Sequence, residues 1–193
     1  MLRLGLCCLF RDEPIKFSRT TAAALGKMTR RDALAKLARL SAANAESLMS
    51  ALQFCADYGI GCFRVISQIL PLRTHPVHGF EVVDLPSGDK IIQRYKDCGI
   101  FAAANGLRLC FHPDQFVVLN SQRPEVVEAS IRELEYQAEV ADWIGADVVN
   151  IHGAVPVPLA TRRSRSWTSA VGCSVWPGLS WANRWAASRR SSS

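Results

Sequence analysis

The 193-residue chain holds only four histidines, and three of them sit just beyond strand-like apolar runs. His112 ends the run Leu107, Leu109, Cys110 and Phe111 at a His-Pro step. His152 follows Val148, Val149 and Ile151 in the segment DVVNIHG. His75 precedes Pro76, after Phe63, Val65 and Ile66 and a short Ile69-Leu70-Pro71 segment. Neutral imidazole is a good ligand for zinc, manganese or iron, usually alongside carboxylates. Parallel strands all end on one face, so three such histidines converge on one mouth, and together they read as a metal site. Taken singly, each reads first as a hydrogen-bonded loop histidine. His78 has no strand behind it and reads as a surface residue.

Gln115 and Phe116 follow His112 closely. An aromatic ring beside an amide can stack on a nucleobase and probe its edge. A loop phenylalanine tucked into the rim of a barrel is the equal alternative. Arg64 and Arg73 flank the second strand-like segment and could meet phosphates, or serve as structural or solvated arginines. Asn150 could bind a ligand or point inward. The chain shows no nucleotide-binding glycine loop, Ser-His-Asp spacing or zinc-finger pattern.

The elements that must position these residues alternate. Residues 1–8 read as a strand and residues 9–27 as a polar connection. Thr29 can cap a helix with Asp32 in its first turn, and Leu34, Leu37, Ala38, Ala45, Leu48, Leu52 and Cys55 recur at helical spacing until Gly59. A second strand spans 62–66, a long loop 71–88, a helix 89–104 and a third strand 107–111. Pro124 opens a further helix that Gly145 ends, and residues 147–151 form the fourth strand. Strands alternating with helices indicate an α/β fold with parallel strands and right-handed crossovers. Four strands and three helices are about half of an eight-fold barrel, or most of a small open sheet. In a half barrel, Leu4, Val65, Leu109 and Val149 are expected on an uncovered inner face.

Composition divides the chain. All 17 acidic residues and 17 of the 23 Lys and Arg precede residue 154, so the net charge of +6 comes entirely from residues 154–193. A basic DNA-binding face is therefore not visible in the balance of the first part. Residues 154–193 hold six Arg, nine Ser and four of the five Trp, without helical or strand periodicity. That language reads as an unrelated, unstructured tail from a shifted reading frame in a GC-rich gene. Seven cysteines without a CxxC, six of them among apolar residues, point to a reducing cytoplasm. The apolar run 4–10 is too short for a membrane span and reads as a first strand, not a signal peptide.

Five segments together resemble the UV damage endonuclease family: LRLGLCC, FRVISQILPLRTHP, FHPDQFVVLNS, ELEYQAEVADWIGAD and VVNIHG. The likeness runs from residue 1 to about 153. It implies the N-terminal half of a TIM barrel, related to endonuclease IV and xylose-isomerase-like proteins, with about four of the strands. It implies a metal-dependent nuclease, commonly using manganese, that nicks double-stranded DNA on the 5′ side of UV photoproducts. It further implies that His75, His112 and His152 belong to the metal site. Gln115 and Phe116 would be the pair that wedges into the duplex, where relatives often carry Tyr in place of Phe. Ile66 stands where relatives often have Asn, and Leu6 where some have an aromatic. The bridging carboxylates of the family would lie beyond residue 153, so this chain is expected to be a truncated form without incision activity, from an enzyme that is monomeric at full length. The rival readings are a sugar-isomerase-like barrel enzyme and a non-catalytic basic fragment that binds nucleic acid through its tail.

Overall fold

In the computed structural model, residues 4–152 are described, so the expectations for residues 1–3 and 153–193, the tail included, lie outside them. Four strands form one sheet: β1 (Gly5–Leu6), β2 (Cys62–Val65), β3 (Arg108–Phe111) and β4 (Val148–Val149). All neighbours are parallel and the spatial order is β1-β2-β3-β4. Long helices make the crossovers: α2 (Arg30–Asp57), α3 (Gly88–Ala104) and α4 (Pro124–Ile144). This is the alternating α/β plan of a (β/α) barrel, carried through four strands.

Each long helix is bounded by its own sequence. Thr29 Oγ1 accepts the Asp32 N–H at 3.2 Å and donates to the Asp32 carboxylate at 2.7 Å, closing the first turn of α2. Pro124 starts α4, where its missing N–H costs nothing. Gly145 stops α4 at φ +68°, a left-handed conformation that a residue with a Cβ adopts at a cost. The chain then turns straight into β4. Two short elements were not legible. The single turn α1 (Ala22–Leu25) lies inside the expected connection and is anchored by buried Leu25. A 3-10 turn at Val82–Asp84, anchored by buried Val82, lies inside the expected long loop. Neither is long enough to show periodicity, and tertiary burial holds both.

The core lies between the sheet and the helices. Phe63 and Val65 of β2 and Leu109 and Phe111 of β3 pack there with Leu37, Leu48 and Leu52 of α2, Tyr95 of α3 and Val140 of α4. This corrects the expectation that Val65 and Leu109 lie on an open inner face, since both are almost fully buried against the helices. Val149 is also packed against this core. Side chains alternate along a strand, so the opposite face of β2 and β3 carries Cys62, Arg64, Arg108 and Cys110. The inner face of β2 and β3 is therefore polar or weakly polar, with Val148 of β4 beside Cys110 on the same side. Leu4 is exposed, as expected.

Candidate functional site

The ends of β3 and β4 bring two of the predicted residues together. His112 directly follows β3, and His152 lies three residues past β4. The N–H of Asn150 donates to the Phe111 carbonyl at 2.9 Å, extending the strand pairing to the point where both histidines leave the sheet. Their rings meet edge to face with centroids 4.6 Å apart. His112 is half-buried and His152 exposed.

His75 is placed differently. It sits in the turn after β2, and its Nδ1 accepts the N–H groups of Val77 at 3.2 Å and His78 at 3.1 Å. An accepting Nδ1 puts the ring proton of a neutral imidazole on Nε2. The nearest imidazole partner is His78, with centroids 5.2 Å apart, so His78 is half-buried beside His75 and not simply a surface residue. Among the described residues, no group of three or more His, Cys, Asp or Glu is gathered to hold a metal. The structure thus pairs His112 with His152 and leaves His75 outside a three-ligand set. Two adjacent imidazoles at a strand-end mouth fit part of the ligand shell of a divalent transition metal, with carboxylates still to be supplied.

Gln115 and Phe116 stand on a tight turn after Pro113. The Asp114 side chain accepts the Phe116 N–H at 3.3 Å, and its carbonyl accepts the Val117 N–H at 2.9 Å. Buried Pro113 and Val117 pin the two ends of the turn. Both tip side chains therefore project outward, and the Phe116 ring is 75% exposed. Phe116 is not tucked into the rim. It borders a groove of about 710 Å³, whose lining also includes Gln115, His75, Thr74, Arg73 and Tyr136.

Helix α4 anchors both walls of that groove. Ser130 Oγ accepts the Val118 N–H at 3.0 Å. Tyr136, buried in the groove floor, joins the loop after β2 through its hydroxyl, and burial pushes its phenol well above the usual range. Arg73, a phosphate-contact possibility in the sequence, is a structural residue here. It pairs with Glu81 and, at 3.2 Å, with Glu139, and lies 5.9 Å from the Phe80 ring centre. Burial raises the Glu139 carboxyl, Arg73 opposes that and Glu81 adds to it. Arg64 remains half-buried on the inner face. Burial also pushes the neighbouring Cys110 thiol up to about 12, so this cysteine stays protonated and unreactive at neutral pH. Sequence reasoning overlooked Tyr136 and Glu133. The only signal was their place with Glu139 at a three-residue spacing, which puts them along one side of a helix.

A parallel α/β arc with paired imidazoles at the strand ends, and an aromatic-tipped turn beside them, has the plan of a (β/α) barrel-type protein, a fold whose sites lie at that end of the strands. The chain belongs to the UV-endonuclease UvdE family, whose model matches residues 2–155. It is 31% identical over 150 residues to the UV DNA damage endonuclease of Deinococcus radiodurans, covering 74% of this chain and 46% of that protein. The UV DNA damage endonuclease of a Nostoc species is 31% identical over 158 residues, covering 78% of this chain and 47% of its own. The UV-damage endonuclease of Neurospora crassa is 40% identical over 101 residues, which is 52% of this chain and 15% of that protein. The crystal structure of SacUVDE superposes with a TM-score of 0.66 at 31% identity, over 80% of this chain and 50% of that one. The chain thus spans about half the length of the bacterial relatives it matches.

Proposed function

We propose that this chain is the lesion-contacting half of a metal-dependent endonuclease that nicks duplex DNA 5′ to UV photoproducts, and that it does not incise DNA by itself. The observation that carries this reading is the outward-facing Gln115-Phe116 tip beside His112 on one loop, in a chain of the UvdE family. The exposed ring can stack where damage has weakened base stacking, and the amide can hydrogen-bond an exposed base edge. His112 and His152 would hold a divalent cation, manganese in this reading, with His75 joining through Nε2 once its ring proton moves to Nδ1, which then gives up the Val77 and His78 N–H groups. When bound, such a cation supplies water activation and charge neutralisation at a phosphodiester. Two or three imidazoles bring no negative charge to offset cation repulsion, which is why the chain alone is assigned no incision. Duplex DNA as substrate and free thiols at all six described cysteines support a cytoplasmic location. The test is a comparison on one plasmid. The chain retains UV-irradiated plasmid over unirradiated plasmid in a gel shift, and leaves both supercoiled with Mn²⁺ present. Equal retention of the two plasmids would remove lesion recognition, and nicking of the irradiated one would remove the assignment of inactivity.

A further inference from the structure

The segment from β2 to His75 is held by α4 at three successive points. The Tyr136 hydroxyl donates to the Ser67 carbonyl at 2.9 Å and accepts the Leu70 N–H at 3.0 Å. Glu139 pairs with Arg73 at 3.2 Å, and Glu133 accepts from Thr74 Oγ1 at 2.8 Å. Between these anchors Leu72 stands at φ +60°, a left-handed conformation that a leucine rarely takes. A strained residue persists only where its flanks are fixed from outside, and here α4 supplies three of the fixing groups, while Asn44 of α2 donates to the Ile69 carbonyl at 2.8 Å. The same helix fixes the other groove wall through Ser130 and Val118. Tyr136 is 4% exposed and also lines the groove between the two walls.

We propose that Tyr136 is a positioning residue for His75: its bridging hydroxyl sets where the His75 loop stands relative to the Gln115-Phe116 turn. This rests on the reading of the groove as the DNA-contacting site. Tyr136→Phe keeps the ring and its packing but leaves the Leu70 N–H and the Ser67 carbonyl without this partner. The Leu72 turn then loses its α4 anchor on the N-terminal side and relaxes about the remaining Arg73 and Thr74 contacts, and His75 moves with it. Leu72→Gly makes the left-handed conformation easy and so opposes that relaxation.

The test uses the full chain. Ring ¹H–¹³C signals of the histidines are recorded for parent and Tyr136→Phe, and binding is measured to a duplex carrying one thymine dimer. The expected result is that His75 signals move while those of His112 and His152 stay. Binding weakens about tenfold, the scale of a lost buried hydrogen-bond pair. The loss is absent in a His75→Ala background, and Leu72→Gly restores part of it. Unmoved His75 signals, or losses from Tyr136→Phe and His75→Ala that simply add, would overturn the proposal. Should Tyr136→Phe unfold the chain, Thr74→Val removes the adjacent anchor and is judged by the same signals and cycle. If the parent binds damaged and intact duplex equally while His75 signals still move, the positioning holds and the functional reading fails.

Discussion

The His112 and His152 rings meet edge to face, 4.6 Å between centroids, because their strands are neighbours and parallel and end at the same level. The pairing of Phe111 with Val149 fixes that level. Cation binding at this mouth should therefore depend on both residues together. Either His112→Ala or His152→Ala is expected to weaken Mn²⁺ binding by about tenfold or more, since even outer-shell changes at metal sites cost that much. The double variant should be little worse than either single one. Calorimetric titration with Mn²⁺ checks this, and unchanged binding in both single variants contradicts it.

Much of this arrangement was open to sequence reading, and the reasons differ by element. The three long helices announced themselves through periodic apolar residues and sharp end signals at Thr29, Pro124 and Gly145. The strand ends were marked by apolar runs meeting histidines. What could not be read was which face of each strand is covered. Val65 and Leu109 looked like inner-wall residues until the pairing register set them against the helices. The loop before His75 was equally opaque, because its shape depends on hydroxyl and carboxylate anchors that α4 supplies from about 60 residues away. The pairing of His75 with His78 is likewise a product of a turn that no periodicity describes.

Glu139 provides a pH-dependent check on that loop. Burial holds its carboxyl above the ordinary value of 4.5, with Arg73 pulling down and Glu81 pushing up. The folded state thus keeps this proton longer than the unfolded chain does. The stability it contributes is fully present below the ordinary value and is lost as pH rises through the raised one. Glu139→Gln removes this titration. The melting temperature of the parent relative to the variant is expected to fall as pH is raised from about 4 to about 7. A constant difference across that range would contradict the burial argument.

Gly99 tests how closely α3 and α4 must approach. A Cβ at this position would lie 2.8 Å from the backbone carbon and oxygen of Ile144, atoms that cannot swing away like a side-chain tip. Gly99→Ala is expected to destabilise by roughly 1–3 kcal/mol. In a chain of this size that lowers Tm by several degrees. Ile100→Ala, at a 66% exposed neighbour, should change Tm far less. Similar shifts in the two variants would contradict the close-packing account.

The most direct measurement of the central claim is the affinity of Gln115→Ala/Phe116→Ala for a duplex with a single thymine dimer, set against the same duplex undamaged. The parent should prefer the damaged duplex. The double variant should lose that preference by about 1–3 kcal/mol, the scale of one stacked base, while Mn²⁺ binding at His112 and His152 stays intact. A double variant that keeps the full preference of the parent would contradict the assignment of Gln115 and Phe116 as the lesion-contacting pair.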